Sequence, residues 1–376
     1  MLILFLFLAA LFATFYAYFG YPVSLLCLRA FKRKPVQREE ITPHISFIIT
    51  AFNEEKRIKG KLENSIKLVY PREKLQIIVA SDGSTDGTNN IVSSFARQGV
   101  ELLEVKNRGG KENAQKEAVA RAKGDILVFS DVATMIDPDG LKKIAANFAD
   151  PSVGCVSSED KLLDRDGKPS GEGFYVRYEM WLRRLESSVN SLVGLSGSFF
   201  AARKKVCLDF AGDVQSDFRT LLNSVKQGLR GVADPLSVGY YMDLTDKKRE
   251  FDRKIRTVLR GLTVFWTHTD LLNPLAYGLF AYQFFCHKLL RWLVPFFLAV
   301  AFATNLILAF DSLLFQVLFF GQMFFYGMGI VGWKTEKLHG IFKIPTFFLI
   351  VNAAILIAWW KYLKGERIVL WTPSQR

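Results

Sequence analysis

Uncharged stretches at both ends of this chain set the first constraint on its fold. Residues 1–28 carry no charged side chain, and neither do residues 293–310, 312–333 and 344–360. A bilayer core takes about 20 apolar residues of helix. The first three stretches are therefore long enough to span one, and the last is at the short end. Arg29, Lys32, Arg33 and Lys34 follow the first stretch. A signal peptide carries its basic residues before the apolar run. The expectation is thus a retained anchor, N-terminus outside, with the following segment in the cytoplasm. Four spans in total are expected. Lys361, Lys364, Arg367 and Arg376 argue for an inner C-terminus, which needs either a re-entrant last segment or a further crossing at 271–285. The net charge of +13 could suit nucleic acid, but the basic residues cluster beside apolar segments, so no nucleic-acid partner is expected. Cys27, Cys155, Cys207 and Cys286 are too dispersed for a zinc pattern or a disulfide framework. The dispersed histidines, His44, His268, His287 and His339, have no catalytic assignment.

Between the apolar ends the pattern alternates. Residues 45–50 read as a strand, with a helix to Val69 and a stop at Pro71. Leu75–Ser84, LQIIVASDGS, reads as a buried strand running into turn residues. A helix to Arg97, a strand over 100–105, a helix from Lys111 to Ala122 and a strand over 126–130 follow. Such alternation predicts an α/β fold, a parallel sheet with helices on both faces. Beyond Pro138 we expect a strand at 153–158, a mobile loop at 164–173 and a helix at 175–193. A turn at 194–198, a strand at 199–201 and a helix from 215 to 227 come next. Residues 247–268 predict an amphipathic helix on a membrane surface.

Asp82 and Asp131 stand at strand ends and Asp217 at a helix start. One such carboxylate is ordinarily a helix cap. Several on one sheet edge repel unless a cation or hydrogen-bond donors lie between them. That pattern fits a divalent cation holding a diphosphate, plus a carboxylate left over as a base.

Six motifs carry a family resemblance: IITAFNEE at 48–55, VASDGSTDGT at 79–88, GGKENAQKEAVARAKGDILVFSD at 109–131, SGSFFAARK at 196–204, QSD at 215–217 and EFDRKIRTVLRG at 250–261. In this order the chain resembles a membrane-embedded glycosyltransferase of family 2, over about residues 44–270. The resemblance implies a GT-A (Rossmann-like) cytoplasmic domain flanked by transmembrane helices. It divides the chain into an anchor (1–29), a linker (30–43), the GT-A catalytic domain (44–246), amphipathic interfacial helices (247–290), transmembrane helices (291–363) and a tail (364–376). The implied enzyme is inverting and takes a nucleotide-diphosphate sugar, read as a UDP-sugar. The acceptor would be lipid-linked or a polysaccharide, at the bacterial inner (plasma) membrane among its lipids.

The same resemblance assigns roles. Ala51, Asn53, Glu55 and Asp82 would hold the base and ribose, and Lys111 would lie near the base or diphosphate. Asp131 would bind the metal, Mg or Mn. Ser196 and Gly197 would line the sugar or acceptor pocket. Asp217 would be the general base, and Arg256 would reach the diphosphate. Three departures stand out. The D-x-D-like motif reads Asp131-Val132-Ala133, without its second acid, and the E-D pair reads Ser216-Asp217. Thr257 replaces the tryptophan of Q-x-x-R-W, against a processive polymer synthase. Two rivals remain: transfer directly onto a polyprenyl phosphate, and a degenerate, non-catalytic nucleotide-sugar-binding protein.

Overall fold

The computed structural model describes residues 1–163, 174–210, 212–242, 247–335 and 340–368. The loop expected at 164–173, His339 and the end of the tail lie outside the described residues. The chain divides into two compact units: residues 25–244 with 266–280 and 368–376, and residues 1–24 with 245–265 and 281–367.

The first unit is built on one mixed sheet. Strands β1 (Ile45–Ala51), β2 (Leu75–Asp82), β3 (Val100–Val105) and β4 (Ile126–Asp131) are followed by β5 (Met135–Ile136), β6 (Val153–Leu163), β7 (Phe199–Arg203) and β8 (Arg230–Met242). Their order is β3-β2-β1-β4-β7-β6-β8-β5. The first four are parallel, and β7 runs antiparallel to both β4 and β6. Side-chain alternation explains why these runs are apolar throughout. Ile45, Phe47, Ile49, Ile77, Val79 and Val128 share one core with Ile58 and Leu62 of helix α2 (Glu55–Ile66). Ile48, Ile78, Ala80, Leu127 and Phe129 face the other side. There they meet Ala114 and Ala118 of α4 (Lys111–Arg121), which follows α3 (Thr88–Ser94). The chain leaves β1 toward β2 and β3, then returns to place β4 on its other side. That reversal creates a crevice at the strands' C-terminal edge. Register brings Thr50 beside Asp131 and Ala51 beside Ser81 there. This is the mixed α/β, GT-A-like sheet.

Two differences from the sequence reading have physical causes. β6 runs on to Leu163 because β8 pairs with it in parallel. β8 escapes sequence detection because it contains Pro235, a ladder breaker. The pairing absorbs it as an irregularity, Ser158 opposing Asp234 and Glu159 opposing Val238. Helix α6 (Phe174–Val189), after α5 (Gly140–Ala145), stops short of residue 193. The segment beyond it is captured by β8: the Leu192 N–H donates to the Gly231 carbonyl at 2.9 Å. α7 (Ser216–Lys226) begins at the expected place.

The second unit is helical. α8 (Lys247–Trp266) is amphipathic, with Ile255, Leu259 and Leu262 buried along one stripe. Phe265 stacks on Phe284 at 4.7 Å between centroids. Among the described residues four helices are long and apolar enough to cross a membrane: α1 (Leu2–Phe31), α9 (Leu279–Leu308), α10 (Leu313–Lys334) and α11 (Gly340–Leu363). Residues 279–285 form the start of α9. Phe7 and Ala10 pack on Ala301, and the Trp359 indole N–H donates to the Trp292 carbonyl at 2.9 Å.

Candidate active site

The loops after β1 and β2 are knitted together. Asn53 has a left-handed backbone, φ 51°, which asparagine adopts more readily than most residues. Its Oδ1 accepts the Thr85 N–H at 2.8 Å, and its own N–H donates to Ser84 Oγ at 3.1 Å. The Glu55 N–H donates to Asp86 Oδ2 at 3.1 Å. Ala51 is buried at the end of β1. Phe52 lies beneath the Arg108 guanidinium, 3.8 Å from its ring centre.

Asp82 is buried, and each carboxylate oxygen accepts one backbone N–H: Oδ1 from Gly109 and Oδ2 from Gly110, both at 2.8 Å. Gly110 has φ 93°, a conformation favouring glycine, and it turns the chain directly into α4. Asp82 thus fixes the start of the helix that carries Lys111. The buried Lys111 ammonium donates to Asp131 Oδ1 and to the Gly197 carbonyl, the latter at 2.9 Å. Gly197 in turn leaves no room for a side chain: a Cβ there would stand 2.9 Å from Asp217 Oδ2. Gln215 Nε2 donates to that same oxygen at 3.3 Å. The structure therefore brings Asp82, Lys111, Asp131, Gly197 and Asp217 into one contiguous group at the C-terminal edge of the sheet.

Ser196 is part of a second network. Its hydroxyl lies 2.7 and 2.8 Å from the two oxygens of Asp160, and the Ser198 hydroxyl donates to Asp160 Oδ1 at 2.8 Å. The Ser196 N–H donates to Ser157 Oγ at 2.8 Å. Asp160 thus braces the turn whose middle residue, Gly197, separates Lys111 from Asp217. Arg256 belongs to the other unit, on α8, partly buried. Burial first, then the neighbouring Arg260 and Arg253, lower its pKa.

Two residues of this centre escaped the sequence reading. Asp160 lies on the part of β6 that only pairing with β8 defines. Lys61 is fully buried beneath β4, its ammonium donating to Ser130 Oγ at 2.8 Å and to the Thr134 carbonyl. Burial pushes its pKa down to about 7, against the pull of the Asp131 carboxylate. A signal existed, because Ile58, Lys61, Leu62 and Ser65, the buried face of α2, follow the helical repeat.

The donor set for a divalent cation is small. No group of three His, Cys, Asp or Glu residues could hold a metal among the described residues. Asp131 nonetheless fits as one ligand: Lys111 occupies Oδ1, and the side chain remains 25% exposed. Magnesium-like ions often take one or two carboxylates and complete their shell with substrate phosphates and water.

The chain is similar to known proteins in sequence and in fold. The family model described as "Glycosyl transferase family 2" matches residues 46–208. Among curated relatives, the "Poly-beta-1,6-N-acetyl-D-glucosamine synthase" of Staphylococcus aureus (strain COL) is 24% identical over 182 residues, 47% of this chain. The protein of the same name from Staphylococcus epidermidis is 25% identical over 170 residues, 44% of this chain. The matches span less than half of those relatives, 43% and 40% of their lengths. Among solved structures, the "Mannosyltransferase PcManGT from Pyrobaculum calidifontis in complex with GDP-Man and Mn2+" aligns with TM-score 0.76 at 23% identity. The alignment covers 97% of this chain and 100% of that one. The fold is shared along nearly the whole chain. Residues 46–208 thus resemble glycosyltransferase family 2, in a chain that also carries helices long and apolar enough to cross a membrane.

Proposed function

We propose that this chain transfers a sugar, with inversion, from a nucleotide-diphosphate sugar to a membrane-associated acceptor, either a lipid-linked sugar or a growing polysaccharide. The observation that carries the reading is the Lys111 ammonium between Asp131 and the Gly197 turn, with Asp217 on the far side of that turn.

Asp217 takes the proton of the acceptor hydroxyl as its oxygen forms a bond to the anomeric carbon. The bond from that carbon to the diphosphate oxygen breaks, and the electron pair leaves with the diphosphate. Lys111 lies where that negative charge grows, and a fixed cation there lowers the barrier. A divalent cation at Asp131, Mg or Mn, would supply further electrostatic stabilisation of the leaving group. The Asn53–Thr85 bridge, Glu55 and the Arg108–Phe52 pair bound the place for the base. Asp82, already holding two N–H groups, has lone pairs left for the imide N–H of a uracil. Ser196 would face the sugar or acceptor from a turn held by Asp160.

The staphylococcal relatives' name supports a polysaccharide product, and the GDP-Man and Mn2+ of the mannosyltransferase support a nucleotide sugar with a divalent cation. The basic residues after the first apolar helix support a catalytic unit on the cytoplasmic side of a bacterial plasma membrane. The test offers purified full-length protein labelled UDP-glucose, UDP-galactose, UDP-N-acetylglucosamine and GDP-mannose, with membrane lipid extract, with and without manganese. The reading predicts metal-stimulated transfer of one sugar into lipid or polymer. No transfer from any donor would favour the non-catalytic alternative.

A further inference from the structure

Helix α2 holds the chain where it leaves β4. Lys61 and Asn64 stand three residues apart on this helix, hence on one face of it. Asn64 bonds the Ile136 backbone in both directions: Nδ2 donates to the carbonyl at 2.9 Å, and Oδ1 accepts the N–H at 3.0 Å. Lys61 reaches the turn just before it. Its ammonium donates to Ser130 Oγ at 2.8 Å and to the Thr134 carbonyl. The Ser130 hydroxyl donates in turn to the Asp131 carbonyl at 3.2 Å. That carbonyl also accepts the Thr134 N–H at 3.2 Å, which closes the turn Asp131-Val132-Ala133-Thr134. Lys61 therefore grips both ends of the turn, the first through Ser130 and the last directly.

A buried ammonium is a costly way to fill space. Lys61 is fully buried, its hydrogen bonds go to neutral oxygens, and the Phe47 ring centre lies 5.3 Å away. Taking a charge out of water without a paired counter-charge is unfavourable. Apolar side chains of similar volume often replace buried charges with no loss of stability. Methionine would thus serve packing alone, but it would not supply the two donors that fix the turn. That turn carries Asp131 and has Ala133 where a second acid could stand. A cation held by a single carboxylate depends on where the backbone puts that carboxylate.

We propose that Lys61 is a positioning residue for the transfer reaction: it fixes the Asp131–Thr134 turn from beneath the sheet, so that Asp131 presents its carboxylate to the divalent cation. The inference rests on the reading of Asp131 as the metal ligand. Two influences of Lys61 on that cation oppose each other. The Asp131 carboxylate is near enough to attract the ammonium, so a cation bound there is near enough to be repelled by it. The grip on the turn favours the cation instead. Removing the ammonium separates the two, since weaker cation binding marks positioning and tighter binding marks charge alone.

The test compares full-length wild type and Lys61→Met in detergent micelles, with UDP or GDP present, whichever the wild type binds more tightly. Mn2+ is titrated in, and the free ion is counted from its electron paramagnetic resonance signal. Nucleotide affinity is measured separately without metal, and thermal melting reports folding. Lys61→Met should bind Mn2+ about tenfold more weakly, the low end of the range for losing a group that orients a metal ligand. Its metal-free nucleotide affinity and melting temperature should stay near wild type. Ser130→Ala, which removes one of the two acceptors, should weaken Mn2+ binding less, but in the same direction. A folded Lys61→Met variant that binds Mn2+ as tightly as the wild type, or more tightly, would overturn the proposal. So would an equal loss of metal-free nucleotide affinity, the mark of general damage to the cleft. Should Lys61→Met fail to fold, unchanged Mn2+ affinity in Ser130→Ala would overturn it. A wild type that binds nucleotide but no Mn2+ would overturn the reading of Asp131 itself, and this inference with it.

Discussion

The two sides of the sheet edge are built from different chemistry. On the β1–β2 side the loops are tied by neutral donors: Asn53 to Thr85 and Ser84, and the Glu54 N–H to the Thr88 hydroxyl at 2.8 Å. The buried Asp82 carboxylate there is answered by two backbone N–H groups. On the β4–β7 side an ion pair is central: Lys111 donates to Asp131 and to the Gly197 carbonyl, and Asp217 lies against Gly197. Backbone and hydroxyl bonds fix a shape before any ligand arrives. Charged side chains can change partners as a reaction moves charge, and preorganised charge in a partly dry site acts strongly on a transition state. Under the proposed function the first side would hold the nucleotide and the second would break the bond.

That contrast makes ordered predictions. Lys111→Met should have the largest effect, lowering kcat about 100- to 1,000-fold, the range for losing one preorganised transition-state donor. Donor affinity from equilibrium titration should change far less. Gly197→Ala should cost about 100-fold in kcat, since a displacement of about 1 Å at a reacting group has that effect. Its melting temperature should stay near wild type. Asp82→Asn should act on the other side, leaving one of the Gly109 and Gly110 N–H groups facing an amide N–H. A buried unsatisfied donor costs about 1–3 kcal/mol, so donor KM should rise roughly tenfold or more with kcat less affected. A Lys111→Met variant altered only in KM, or an Asp82→Asn variant altered only in kcat, would break the division.

The smallest effect at neutral pH tests the scaffold away from both sides. Asp150 pairs with Arg230 at 2.9 Å. Burial opposes its charged form, but the Ser152 hydroxyl and N–H, Arg230 and the Gln37 N–H together outweigh that and hold its pKa at about 2. Its contribution to stability is complete above an unfolded carboxyl's pKa of about 4 and fades as pH falls through about 2. Asp150→Asn should flatten the melting temperature's dependence on pH in that window, with transfer activity at neutral pH preserved.

The parallel half of the sheet was legible because its strands are continuous apolar runs ended by turn residues, as at Ile45–Ala51 and Leu75–Asp82. Asp82, Asp131 and Asp217 were legible as strand-end or helix-start carboxylates. What Asp82 touches was not, because the Gly109–Gly110 turn lies across another strand and loop. β8 hid behind Pro235, and Asp160 was hidden with it, since only that pairing extends β6. Lys61 read as one more charge in a charged helix, although its position in the repeat put it on the buried face.

The central claim is that Asp217 removes the acceptor proton in a centre completed by Lys111 and Asp131. The most direct measurement is single-turnover transfer from the active labelled donor by Asp217→Asn, with donor affinity measured on the same sample. The account predicts unchanged donor affinity and a transfer rate about 100- to 10,000-fold lower, the range for loss of a general base. Transfer by Asp217→Asn within a few-fold of wild type would contradict it, and would point to an acceptor phosphate that needs no base.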